Sequence, residues 1–279
     1  MHYAPRPQPR NYGIFGQLSV GASHNYGREP LSRIMRAFEF LASGQRPILP
    51  RSQAPLLFYF PNLAESAFYL PELYPELSRV EHVLQPLFGS IRQEYLNSVQ
   101  DNDLIAYEDQ VTQVRRLRAE TGGEGVLLPR DKWGTYSLRL GGKPVDPAMA
   151  RCPFTGSLME RLAPSLAAGG ALFFSVLGPG VHIPPHHDAT NARITCHMGL
   201  VVPKGCALKV DGEVREWSER GCLFFDSSFR HEVWNKGDAN RVCLIVDLWH
   251  PELTPLERSI LAELQRIIDE GTSNSKDEP

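Results

Sequence analysis

The chain has 279 residues, of which 42% are hydrophobic and 22% charged, with a formal net charge of −3. That length and balance suit one large soluble domain or one domain with an appendage, and the slight negative charge gives no reason to expect nucleic acid or an acidic membrane surface as a partner. No apolar run is long enough to cross a bilayer, and the opening MHYAPRPQPRNYG lacks the apolar core of a secretory signal. Five cysteines (Cys152, Cys196, Cys206, Cys222 and Cys243) are widely spaced and odd in number. Three of them lie in apolar strand-like runs, so they read as free thiols in a reducing, cytoplasmic setting.

Residues 1–30 are rich in Pro, Gly, Asn and Ser without a period, as an irregular arm would be. Leu31, Ile34, Met35, Phe38 and Leu41 then keep helical spacing, and Gly44 is expected to end that helix. Residues 1–50 are thus an N-terminal arm with one short helix, a candidate lid for a pocket in the domain that follows over 51–271. SGQRPILPRSQAP reads as a linker and PLLFYFP as a strand. From Leu77 to Val99, the residues Val80, Val83, Leu84, Leu87, Ile91 and Tyr95 trace a helix face, with Pro86 an expected kink.

After a polar stretch over 100–125, DKWGTYSLRLGGKPV reads as a strand ending at a Gly-Gly turn, and PFTGSLMERLAPSL as a short helix. From Gly170 the texture changes to five β-rich runs: ALFFSVLGPG, RITCHMGLVVP, CALKVDGEVREW, GCLFFD and RVCLIVDLW. Asp211-Gly212 between alternating segments signals a hairpin. Closely spaced antiparallel strands of this kind predict a double-sheet jelly roll, mainly β with flanking helices in an α+β arrangement. At the end, Thr254 as N-cap, Pro255 and Glu257 form a capping-box start, with Leu256, Ile260, Leu264, Ile267 and Ile268 on one face. Gly271 is expected to stop this helix, leaving 272–279 as a disordered tail.

The chemistry gathers around His186-His187-Asp188, His231 and Arg241. On a strand, His186 and Asp188 would share a face, and His231, just after an apolar run, could supply a third ligand. Two imidazoles and one carboxylate on one face of a metal are the facial triad of non-haem Fe(II) oxygenases. Arg241, at the start of RVCLIVDLW, can take a carboxylate in a two-pronged grip. A metal site beside a carboxylate anchor suggests iron with a 2-oxo acid cosubstrate. Arg193 could face the mouth and grip a substrate carboxylate, or be a surface arginine. His187 alternates away from the metal face, His182 precedes two prolines and is set aside as a ligand, and Asp226 could orient the loop bearing His231.

The motifs HxxPHxDxTNxRxxxHxGLVVP, FDxSFxHEVWN and VDxWHPELTP closely resemble those of the aspartyl/asparaginyl β-hydroxylase family. The resemblance is dense from about residue 170 to 257 and weaker back to about residue 57. It implies a double-stranded β-helix core, cupin-like, and Fe(II)/2-oxoglutarate-dependent dioxygenase activity with O2 as the oxidant. It implies iron on His186 and His231, and 2-oxoglutarate contacts from Trp133, Ser175, His197, Arg241 and the neighbourhood of Thr195. An animal member has glycine where Asp188 stands and arginine where Thr195 stands, so a complete triad and a differently held substrate are expected here. His250 in WHPEL resembles a packing motif of the family. With no repeat domain or membrane anchor ahead of these motifs, the expectation is a cytosolic hydroxylase of an amino acid, a peptide or a carrier-tethered intermediate. The competing readings are a hydroxylase of a lipid acyl chain, a non-catalytic cupin-like binding protein and another metal-dependent jelly-roll enzyme such as an isomerase.

Overall fold

A computed structural model describes residues 32–43, 49, 52–100, 103–106 and 133–274, with side chains to residue 269. Its strands are β1 (Phe68–Tyr69), β2 (Ile105–Ala106), β3 (Trp133–Leu140), β4 (Lys143–Pro144), β5 (Leu172–Leu177) and β6 (His182–His186), followed by β7 (Arg193–Val201), β8 (Cys206–Val210), β9 (Glu213–Glu216), β10 (Cys222–Phe225), β11 (His231–Asn235) and β12 (Arg241–Trp249). Its helices are α1 (Ser32–Ser43), α2 (Pro75–Ser98), α3 (Asp146–Arg151), α4 (Pro153–Gly156), α5 (Leu158–Leu162) and α6 (Pro255–Asn274).

Successive residues of a strand point to opposite faces, and here the two faces have different partners. On β12, Val242, Leu244, Val246 and Leu248 join a buried cluster with Leu77, Val80, Leu84 and Ile91 of α2. Cys243 and Ile245 face the other way, into a cluster with Ile183, Leu208, Val210 and Val233. β7 divides in the same manner, with Ile194, Cys196, Met198 and Leu200 toward the helices. Helices therefore cover one face of the larger sheet and a second sheet covers the other.

The larger sheet runs β1-β10-β7-β12-β5-β3-β2 with β4 beside β3, and the smaller runs β6-β11-β8-β9. From β5 onward the chain passes between them: β5 large, β6 small, β7 large, β8 and β9 small, β10 large, β11 small, β12 large. Antiparallel strands that wind alternately through two facing sheets make a double-stranded β-helix, the jelly roll expected from the sequence. The β8–β9 turn has positive φ at Asp211 (48°) and Gly212 (87°), the pair of left-handed residues that a tight hairpin of this twist requires.

Several local expectations need correction. PLLFYFP is not a strand: bracketed by Pro55 and Pro61, it keeps only an isolated bridge from Phe58 to Thr190. Its amides bond instead to the carbonyl of Ala189, from Leu57 (2.9 Å) and Phe58 (3.0 Å), and to Oδ1 of Asn191, from Phe60 (2.7 Å). DPAMAR forms α3, which the sequence reading left out, and PFTGSLMERLAPSL holds two short helices rather than one. Glu94 of α2 accepts the N–H groups of Phe154 and Thr155 at the start of α4, which the sequence spacing does not reveal. α6 begins as expected, with Thr254 Oγ1 accepting from the Glu257 amide and Glu257 accepting from the Thr254 amide. It continues past Gly271 to Asn274, since one interior glycine costs a helix only about 1 kcal/mol. Of the expected tail over 272–279, residues 272–274 continue the helix and 275–279 lie outside the described residues. So do the arm over 1–30, Leu31 and Gly44; α1 itself packs Ile34, Ala37 and Phe38 against Trp249, Leu253 and α6.

Candidate functional site

β6 ends at His186 and β11 begins at His231, and the two are direct cross-strand partners. Opposed residues of antiparallel strands share a face, so their rings meet, with centroids 4.0 Å apart. Asp188 lies beyond the end of β6, so the sequence reading that both residues share one strand does not hold. The loop is nonetheless pinned in place, because the Asp188 amide donates to the Ser227 carbonyl at 2.9 Å. One ligand atom from each of His186, Asp188 and His231 lies within 4.8 Å of the others.

The two rings are held alike. Nδ1–H of His186 donates to the Pro184 carbonyl (2.8 Å), and Nδ1–H of His231 to the Phe229 carbonyl (2.9 Å). Each bond fixes the tautomer and leaves the Nε2 lone pair to act as a metal donor. Burial, with His186 adding to it, drives the His231 imidazole down to about 4, so it is neutral at pH 7. For Asp188, burial acts upward but is outweighed by His231, His186, the Ser227 hydroxyl and Arg193, which hold the carboxyl below its usual range. Two imidazoles and a carboxylate are a donor set for a divalent transition metal, with the composition of a facial triad.

The second pole of the site lies on the inner face of the larger sheet. Arg241 opens β12 and is only 1% exposed, yet its Nε and one Nη carry no hydrogen-bond partner. Among the described residues no carboxylate pairs with it. The indole of Trp217, from the β9–β10 loop, lies under the guanidinium at 5.0 Å and stacks on His197 of β7 (5.9 Å between centroids, 13° between planes). His197 Nδ1 and Trp217 Nε1 are likewise buried without partners. Burial, then Arg241 and His231, push the His197 imidazole well below its ordinary range, so it is neutral. Phe225 links the poles, with its ring 4.9 Å from His197 and 5.8 Å from His231. A buried cation costs a great deal unless paired. Several unmet donors around one positive charge match the acceptor oxygens of a carboxylate.

A sequence profile described as aspartyl/asparaginyl beta-hydroxylase matches residues 87–251. The chain belongs to the aspartyl/asparaginyl β-hydroxylase family. It is 41% identical over 217 residues to the human aspartate beta-hydroxylase domain-containing protein 2, covering 76% of this chain and 55% of that one. Against the human aspartate beta-hydroxylase domain-containing protein 1 it is 41% identical over 261 residues, covering 91% and 62%. Against the mouse aspartyl/asparaginyl beta-hydroxylase it is 38% identical over 147 residues, covering 50% and 20%. The chain therefore spans less than two thirds of each of these relatives.

In this β-hydroxylase-family chain the remaining sequence candidates fall into two groups. Trp133 and Ser175 touch each other, with Nε1–H of the indole 3.3 Å from the serine hydroxyl, on β3 and β5 beside Arg241. Thr195 is buried on β7, its hydroxyl 3.4 Å from both Ser227 and Asp247. Arg193 reaches Asp247 at 3.6 Å and the Gly169 carbonyl at 3.4 Å, so an acidic partner from this chain already engages it. His187 bonds to the Ser52 carbonyl, and half-exposed His182 pairs with Glu232 at 2.9 Å; both stand apart from the His186–Asp188–His231 cluster. His250 is buried against Tyr69, whose hydroxyl is 2.8 Å from its Nε2. Asp226 accepts from the Ser228 amide and from Gln53, which braces the turn before His231 as the sequence suggested. The sequence reading missed Trp217, Ser227 and Phe225. Ser227 and Phe225 lie in FFDSSFRH, inside the motif already singled out, whereas Trp217 in REWSERG carries no signal of its own.

Proposed function

We propose that this chain is an Fe(II)- and 2-oxoglutarate-dependent dioxygenase that hydroxylates an unactivated carbon, the β-carbon of an aspartyl- or asparaginyl-like amino acid, peptide or tethered intermediate. The single observation that carries this reading is Arg241, a fully buried guanidinium with unmet donors, joined through Trp217, His197 and Phe225 to a His–Asp–His cluster. A metal alone would need the cluster but not the arginine. A cosubstrate that chelates the metal at one end and carries a carboxylate at the other uses both.

Iron(II), with 2-oxoglutarate and O2, supplies oxidation of a C–H bond to C–OH with release of succinate and CO2. The chain's own part is positioning. His186, Asp188 and His231 would hold the iron on one side, leaving the other side open. Arg241 would take the far carboxylate of the cosubstrate in a paired, hydrogen-bonded grip, with Ser175 and Trp133 beside it. Neutral His197 would face the middle of the cosubstrate, where a second positive charge beside Arg241 would be costly. The dry surroundings of Phe225, Val233 and Ile245 exclude water from the pocket. Arg193 and Asp247 would meet the substrate at the Thr195 end. The free thiols fit a cytoplasmic setting, and no helix among the described residues is long and apolar enough to cross a membrane.

The test is turnover. Purified protein with Fe(II), ascorbate and 2-oxoglutarate is offered aspartate, asparagine, short peptides and carrier-bound aminoacyl groups. Succinate release coupled to a gain of one oxygen on the amino-acid unit is the expected result. Succinate with oxidation only of a lipid acyl chain would overturn the substrate class, and absence of 2-oxoglutarate binding would overturn the whole reading.

A further inference from the structure

Trp217 is neither on a sheet nor near the metal ligands in sequence, yet it touches both residues that form the anion pole. Its position is built by the backbone. The loop after β9 closes onto β7 through a bridge between Glu219 and Gly199, with the Arg220 amide donating to the Gly199 carbonyl (2.9 Å) and the Gly199 amide to the Gly221 carbonyl (3.1 Å). A Cβ at position 199 would lie 2.4 Å from the Ser218 carbonyl oxygen, so only glycine lets the loop sit this close. The consequence is an indole, 5% exposed, with one face offered to a guanidinium and a parallel imidazole beside it.

Two properties of that indole bear on a ligand. Its Nε1–H is buried without an acceptor, which is costly for a donor-only group. Its π-face attracts the Arg241 cation, which no carboxylate among the described residues neutralises. The two residues that its ring touches also carry buried atoms without partners, Nε and one Nη of Arg241 and Nδ1 of His197. Four unpartnered polar atoms on three touching residues call for a ligand with several oxygens.

We propose that Trp217 is the third wall of the anion pocket: its ring face fixes the attitude of Arg241 and His197, and its N–H donates to the carboxylate that Arg241 grips. This rests on the cosubstrate reading above and adds a residue to it. Trp217 is thus a positioning residue through its face and a binding residue through its N–H.

The two roles separate by substitution. Trp217→Phe keeps an aromatic face and deletes the N–H; Trp217→Leu deletes both. Binding of 2-oxoglutarate is measured by calorimetry, without turnover, on full-length protein loaded with Zn(II) in place of iron. Loss of one hydrogen bond to a charged group weakens binding roughly 10-fold, and loss of the cation–π face as well takes this to about 100-fold or more. The graded order wild type, Phe, Leu in Kd, with metal content unchanged, is the expected result. In parallel, the quenching of indole fluorescence by 2-oxoglutarate should fall in Trp217→Phe, leaving the part owed to Trp133, and persist in full in Trp234→Phe, which alters an indole on β11 away from the pocket. If both Trp217 variants bind 2-oxoglutarate as wild type does while Arg241→Met does not, this inference is wrong and the cosubstrate reading stands. If Trp217→Leu loses thermal stability but keeps its Kd, the residue is merely structural and the inference is again wrong. If wild-type protein binds no 2-oxoglutarate, the cosubstrate reading fails and takes this inference with it.

Discussion

The two poles of the site differ in burial, with His186 and Asp188 partly exposed and Arg241, His197 and Trp217 all buried, and they are prepared in opposite ways. At the metal pole the side chains are satisfied: both imidazoles donate Nδ1–H to carbonyls two residues earlier, and Ser227 bonds Asp188. At the anion pole Arg241, His197 and Trp217 all hold donors or lone pairs with no partner among the described residues. The difference teaches how each pole awaits its ligand. Donor atoms for a cation can be oriented in advance by the chain's own hydrogen bonds, because the metal uses the lone pairs those bonds leave open. A cation meant for an anion cannot be satisfied in advance without blocking the site, so a carboxylate bound at Arg241, as proposed, would add stability that the ligand-free fold lacks.

The contrast breaks most completely at His231. Replacing it with Ala removes a metal donor on which the cluster depends. The expected loss of metal affinity exceeds the roughly 10–100-fold that loss of an outer-shell partner costs, and turnover should be abolished. Metal content by plasma emission spectroscopy checks this; a full complement of metal and activity under limiting iron would remove His231 from the site.

Arg241→Met should act in two directions. The KM for 2-oxoglutarate is expected to rise about 30- to 1000-fold, from loss of one partner of a buried charge pair worth about 2–4 kcal/mol. Without cosubstrate, the same substitution should leave Tm unchanged or raise it by a few degrees, since an apolar side chain replaces an unpaired buried cation. A large fall in Tm of the ligand-free variant would show that Arg241 is already satisfied in the fold.

Ser227→Ala should weaken metal binding by about 10-fold, because the hydroxyl that bonds Asp188 and sits 3.4 Å from Thr195 is lost while the three ligands remain. A competitive chelator titration reads it, and an unchanged midpoint would show that backbone pairing alone orients Asp188.

The smallest effect concerns pH. Burial raises the Asp226 carboxyl to about 7 from an ordinary 3.8, against the pull of its bonds from Ser228 and Gln53. The folded chain keeps this proton over a range where the unfolded chain has lost it. Its contribution to stability is therefore complete below 3.8 and is lost as pH rises through about 7. His231, lowered to about 4 from 6.5, has the opposite sign and matters only below 6.5. In metal-free protein scanned upward from pH 6.5, wild-type Tm should fall relative to Asp226→Asn. Parallel curves would mean that Asp226 does not titrate in this range.

What the sequence conveyed follows from where physics leaves a period. β5, β7, β10 and β12 are continuous apolar runs because both faces of the larger sheet are buried, and they were legible. β6, as HIPPH, and β11, as HEVWN, are the strands that place two members of the His–Asp–His cluster, and neither looks like a strand. Pro184 and Pro185 are tolerated because β6 lies at the edge of the smaller sheet, while β11 carries a histidine and an asparagine where core residues are usual. His231 and Arg241 were legible as chemistry because a histidine or arginine beside an apolar run needs a reason to be there. Trp217 was not, because a tryptophan in a loop is ordinary until the fold sets it against a bare guanidinium. For Arg193 the sequence offers a grip on a substrate carboxylate or a surface arginine and gives no sign of Asp247, which, 54 positions later, reaches it only through β7–β12 register.

The most direct measurement is a calorimetric titration of 2-oxoglutarate into Zn(II)-loaded and metal-free protein, wild type and Arg241→Met. If the two poles serve one ligand, wild type with metal binds a single equivalent tightly, and loss of either the metal or Arg241 weakens binding sharply. Binding of equal strength in metal-free protein, or in the Arg241 variant, would contradict a single cosubstrate spanning both poles.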